Sequence, residues 1–178
     1  EEEAQSIIET YRTSYPTIPK LWKKAGKVLE TIIDNQIETF GRDDLLTVEG
    51  EKGILLPNGL YLRYPNLRIS KDEDGKPEYV YDTKKGKTTV PNRIYGGKVV
   101  ENVCQALARI IIGEQMLKVS KKYKVAMTVH DAIGCVVPEG EAGTGQEFIE
   151  LCMRIRPTWA PDLPLNCEAG AGKSYGEC

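Results

Sequence analysis

The chain has 178 residues, 40% hydrophobic and 28% charged, which is enough apolar material to bury a real core as one domain or two small lobes and excludes global disorder. Its formal net charge of −2 argues against a generic nucleic-acid coat, which is usually basic overall. No apolar run reaches transmembrane length and no basic-then-apolar signal opens the chain, so a cytoplasmic setting and no membrane partner are expected.

In chain order, residues 2 to 13 carry helical spacing, Tyr15-Pro16 breaks it, and a longer amphipathic helix is predicted from about Ile18 to Phe40, stopped by Gly41. From Thr47 to Arg93 the texture changes to short apolar runs split by turn residues, which reads as a meander of short strands. Pro57-Asn58-Gly59 is its strongest turn signal, because asparagine and glycine tolerate positive φ. Gly96-Gly97 then precedes a helix predicted over about Lys98 to Lys122. Val99, Val103, Leu107, Ile110, Ile111 and Leu117 form its apolar stripe. Lys98, Asn102, Gln105 and Arg109 recur at steps of four, three and four on another face, a donor-rich row suited to nucleic-acid backbone or base edges, or equally an ordinary solvated face.

Two strand-like runs, Lys124 to Val129 and Ala132 to Val137, flank His130-Asp131, which contains the chain's single histidine. Two short buried strands with that pair at the hairpin tip are expected. His-Asp is not the cheapest turn chemistry, since primed turns favour Asn-Gly or Asp-Gly. Two readings follow: a carboxylate that binds a hard divalent cation on rigid strands, with His130 orienting it, or a polar turn facing water. Beyond the hairpin, a helix is predicted over about Gly145 to Thr158 with Phe148, Leu151, Cys152 and Ile155 inward, then a final strand over Leu165 to Ala169.

Two lysine-rich groups could neutralise phosphates or simply be solvated: Lys84, Lys85, Lys87, Arg93 and Lys98, and Lys118, Lys121, Lys122 and Lys124. The five cysteines, odd in number and without C-x-x-C spacing, read as reduced and buried thiols, three of them inside apolar runs. Gly170-Ala171-Gly172-Lys173-Ser174 resembles the end of a phosphate-binding loop, but Cys167 stands where its first glycine belongs and no helix-length segment follows. A glycine-rich bend after the last strand is the better account.

KVAMTVHDAIGCVVPE at Lys124 to Glu139 resembles motif C of the family A DNA polymerases, the DNA polymerase I type of bacteria and many phages. EAQSIIETYRTSYP at Glu3 to Pro16 resembles that family's fingers segment after the nucleotide-binding helix, and LLPNGLYLRYP at Leu55 to Pro65 the strand and turn that follow. ENVCQALARIII at Glu101 to Ile112 resembles the helix that carries a DNA-contacting glutamine, and NCEAGAGKSYGEC at Asn166 to Cys178 the last palm strand and C-terminus.

This resemblance implies an α+β fold: a helical fingers-like segment (1–45), a short-strand meander and loop (46–97) and a palm-like subdomain (98–178) with an antiparallel sheet backed by helices. It implies template-directed nucleotidyl transfer from deoxynucleoside triphosphates to primer-template DNA by a two-metal mechanism with Mg2+. Asp131 would be a catalytic metal ligand and His130 would hold the primer end or shape the turn. Gln105 would contact the duplex minor groove, with Lys98, Asn102 and Arg109 as further DNA contacts. The second catalytic aspartate and the nucleotide-binding helix of the family lie before the resembled region. The chain is therefore expected to be a C-terminal fragment, inactive alone and partnered by the missing N-terminal part of the same polypeptide. Two segments depart from the family: on the helix, Glu101 and Gly97 stand where asparagine and arginine are common, and at the hairpin Ala132 stands where glutamate usually follows the aspartate. Both leave open a non-catalytic nucleic-acid-binding or assembly module that keeps a palm-like core.

Overall fold

Residues 2–178 are described by a computed structural model, which is α+β and divides into two compact units, residues 1–106 and 107–178. Among the described residues, no helix is long and apolar enough to cross a membrane.

The first unit opens with helix α1, Glu2–Ser14, none of whose residues is buried. Helix α2, Thr17–Ile33, follows directly after Pro16 and buries Ala25, Val28, Leu29 and Ile32. These side chains recur at steps of three, one and three, the apolar stripe of a helix seated on a sheet. The sheet is an antiparallel meander of β1 (Ile37–Phe40), β2 (Leu46–Glu49), β3 (Gly53–Leu55) and β4 (Tyr61–Leu62) in sequence order. α2 packs on β1 and β2, and Phe40, Leu46, Val48 and Ile54 add to the buried core.

The long helix expected to reach Phe40 ends at Ile33. Asn35 adopts a positive φ of 54°, a conformation that commonly closes helices, and Ile37 to Phe40 then pair with Glu49 to Leu46. Ile33, Ile37 and Phe40 mimic helical spacing, but the ladder with β2 gives their backbone another set of partners.

A second antiparallel sheet joins β5 (Arg68–Lys71), β6 (Pro77–Lys85) and β7 (Thr88–Ile94), so the meander expected between Thr47 and Arg93 is present. The Pro57-Asn58-Gly59 turn is also present, with Gly59 at φ 81° and its amide donating to the Leu56 carbonyl at 2.9 Å. Helix α3, Gly96–Val119, begins where a Cβ on Gly96 would collide with the Trp22 carbonyl and the Gly26 amide. Only glycine permits that approach of two helix backbones.

The unit boundary falls after Ala106, within α3. In the second unit Ile110, Val119, Tyr123, Cys152 and Met153 are buried together with Gln115, whose side-chain amide donates to the carbonyls of Met153 and Ile155. Gln115 explains why Leu117, expected inward, is exposed. Two residues on, at about 100° per residue, it points to the opposite side of the helix.

Strands β8 (Lys124–Val129) and β9 (Ala132–Val136) pair antiparallel, and helix α4 covers Ala142–Met153. α4 thus starts and stops earlier than predicted; Cys152 is buried, whereas Leu151 and Ile155 are exposed rather than inward. The strands, expected to be buried, are largely exposed, with Met127, Val129 and Val136 open to solvent. Among the described residues this sheet has two strands and no third beside them.

The predicted strand over Leu165 to Ala169 is irregular chain. Side chains of and just beyond α4 hold it instead. Gln146 donates to the Ala169 carbonyl at 2.7 Å, and Arg154 donates to the Cys167 carbonyl at 2.7 Å and to Asn166 Oδ1 at 3.2 Å. With those acceptors taken, the segment follows α4 rather than a sheet edge. All five cysteines are free thiols, but only Cys152 is buried. Cys104 and Cys178 are exposed and Cys135 and Cys167 half-buried.

Candidate functional site

The hairpin of the second unit presents His130 and Asp131. Val129 faces Ala132 across the two strands, so the pair forms the two-residue connection at the tip. His130 holds φ at 52°, the positive value that a primed hairpin turn requires at its first central position. Histidine tolerates that region better than most residues with a Cβ, though less well than glycine. Both side chains are exposed.

Beneath the tip, the register shifts between Val125 and Met127, leaving Ala126 as a bulge that adds local twist. Gly134 stands opposite Met127, and a Cβ there would meet Met127 Cγ at 2.7 Å. The missing side chain lets the methionine lie across the hairpin.

An exposed carboxylate at such a tip suits a hard divalent cation, which takes oxygen donors and commonly binds through one or two carboxylates completed by water and substrate phosphates. Asp131 fits that chemistry as one ligand of a set. Among the described residues no cluster of three or more His, Cys, Asp or Glu side chains stands ready to hold a metal by itself. The imidazole of His130 is not a hard-oxygen donor, which leaves it the role of shaping the turn or contacting a substrate group.

The donor row of α3 is organised differently from the expectation. Lys98 Nζ lies 2.7 Å from Glu101 Oε1, and the Gln105 amide donates to the same oxygen at 3.3 Å. That pairing raises the Lys98 pKa, the hydrogen bond to Glu101 being the largest cause. Asn102 turns toward the second sheet and donates to the Tyr64 hydroxyl at 3.3 Å. Tyr64 is buried and meets Tyr81 edge-on at 5.3 Å, and burial pushes its pKa up to about 12. Of the four residues on the predicted face, Lys98 and Gln105 therefore converge on one carboxylate and Asn102 is structural in its contact. Arg109, exposed, belongs to the second unit, as do His130 and Asp131.

The glycine-rich tail forms a hook. The Lys173 amide donates to Glu177 Oε2 at 2.8 Å, Gly172 packs on Glu177 and Gly170 on Cys178, and only a short 3-10 turn, Tyr175–Glu177, follows. An amide already occupied by a carboxylate does not cradle phosphate, in keeping with the bend expected there.

Compared with known proteins, the chain is 31% identical over 175 residues to the DNA polymerase of Bacillus phage SP02. The aligned region takes in 94% of this chain and 26% of that polymerase, so the chain spans about a quarter of its relative's length. No family model and no solved structure matches. The similarity is thus to part of a DNA polymerase. It runs through both units, and so through α3 and the His130-Asp131 hairpin alike.

Proposed function

We propose that this chain is the C-terminal, fingers-and-palm part of a family A DNA polymerase, and that Asp131 is one of the catalytic carboxylates for template-directed nucleotidyl transfer. The observation that carries this reading is the similarity over 94% of the chain to a phage DNA polymerase, joined to an exposed Asp131 at the tip of a bulged hairpin. Deoxynucleoside triphosphates and primer-template DNA are the proposed substrates.

In this reading Asp131 holds magnesium together with an aspartate from another part of the polymerase, since this chain corresponds to only 26% of the relative. When bound, such ions supply positive charge that stabilises the attacking and leaving oxygens of phosphoryl transfer. His130, held at the turn by its backbone, orients the primer end beside the carboxylate. Gln105 donates to minor-groove acceptors near that end once DNA displaces its contact with Glu101, and Lys98 and Arg109 contact phosphates. Asn102 acts one step back, through Tyr64.

Asp131→Asn in the complete polymerase keeps the shape of the tip and removes its charge. Primer extension should be abolished while binding of primer-template DNA is largely unchanged; extension at near-native rate would refute the assignment. The second reading, a nucleic-acid-binding or assembly module without turnover, is favoured by Glu101 occupying both Lys98 and Gln105 and by Ala132 beside Asp131. Salt-sensitive DNA binding by the complete polypeptide, with no magnesium-dependent extension, would establish it instead.

A further inference from the structure

The first unit carries a charged surface on α2. Lys20, Lys23, Lys24 and Lys27 all project from α2 and all are exposed. Steps of three, one and three place them within about 100° of helical arc, over an axial distance of about 10 Å. Among the described residues none of the four joins an ion pair. By contrast Lys52, Lys98, Arg68, Arg93 and Arg154 each sit within 4 Å of a carboxylate. Over two turns of helix, in a chain whose formal net charge is −2, these four ammonium groups concentrate positive charge of the kind that attracts a polyanion.

We infer that this lysine face of α2 binds the phosphate backbone of a DNA strand. The stripe's length of about 10 Å lets its ammonium groups meet successive phosphates of one continuous strand. An anionic membrane fits less well. Helices that lie on lipid insert their apolar face into it, whereas Ala25, Val28, Leu29 and Ile32 of α2 are already buried in the unit's own core. The inference rests on the polymerase reading only for the choice of DNA among polyanions. The lysines themselves take no part in the chemistry at Asp131.

The test compares the chain with its K20Q/K23Q/K24Q/K27Q variant, measuring fluorescence anisotropy of a short labelled single-stranded oligonucleotide between about 50 and 200 mM salt. Four lost phosphate contacts should flatten the slope of log affinity against log salt by about 2 to 3, and affinity at the low-salt end should fall at least about tenfold. All four side chains are exposed, so far-UV circular dichroism should be unchanged. The charge-keeping K20R/K23R/K24R/K27R variant should bind as the unaltered chain does. Equal affinity and slope for the glutamine variant would overturn the inference. So would lysine-dependent sedimentation with phosphatidylserine vesicles in the absence of oligonucleotide binding. Asp131→Asn should bind the oligonucleotide normally, so failure of the catalytic assignment and failure of this one give different results.

Discussion

Glu101 and Lys98 meet at 2.7 Å on the first turns of α3, and the carboxylate oxygen that receives the ammonium also accepts from Gln105 at 3.3 Å. An acidic residue that would repel DNA phosphate is thereby neutralised in the free chain, and it holds two donors in a set position. Both donors must leave it to reach DNA.

Glu101→Gln removes the negative charge and keeps a side chain of the same size. Lys98 then reaches phosphate without first leaving a carboxylate, and duplex affinity should rise, most at low salt. The pair is solvent-exposed, so thermal stability should hardly change. Anisotropy with a labelled primer-template across a salt series reads the affinity; an unchanged affinity at low salt would mean that Glu101 does not hold Lys98 back from DNA.

The buried Tyr64 hydroxyl sets an alkaline limit on the first unit. Burial raises its pKa to about 12 from an ordinary value of 10.0, so the folded state keeps this proton where the unfolded chain gives it up. The contribution is complete below pH 10, shrinks as pH rises, and is gone above about 12. Over two pKa units the loss approaches about 3 kcal/mol. Tyr64→Phe abolishes this ionisation and leaves Asn102 without its partner, so the variant should be less stable at pH 8 but should lose less on going to pH 11.5. Urea unfolding of both proteins at the two pH values tests the crossing, and parallel losses would place the alkaline effect elsewhere.

Local chemistry made parts of this structure legible in advance. The Pro57-Asn58-Gly59 turn is encoded by its own residues, and the hairpin register follows from the apolar runs on either side of His130-Asp131. What failed was set by distant partners. Ile37 to Phe40 became a strand because Leu46 to Glu49 pair with them, although Asn35 was an available stop signal. Leu165 to Ala169 stayed irregular because Gln146 and Arg154 occupy carbonyls a sheet would have used. Gln115 took a core position in α3 and turned Leu117 outward, an exchange invisible to a hydropathy stripe. At the candidate site the tip position of His130 and Asp131 was readable from the sequence, whereas the commitment of Lys98 and Gln105 to Glu101, and of Asn102 to Tyr64, required the packed structure.

His130 offers the cleanest separation of folding from function. Its φ of 52° is a region in which glycine is unstrained, so His130→Gly should leave the hairpin intact and hold or raise stability by a few tenths to about 1 kcal/mol. His130→Ala, which keeps a Cβ at the same positive φ, should be the less stable of the two. If the imidazole serves only the turn, the glycine variant of the complete polymerase extends primers normally. The proposed contact with the primer end predicts a fall in extension with the glycine variant despite undiminished stability. Thermal melts of both variants, beside primer-extension rates of the corresponding complete enzymes, decide between the two roles.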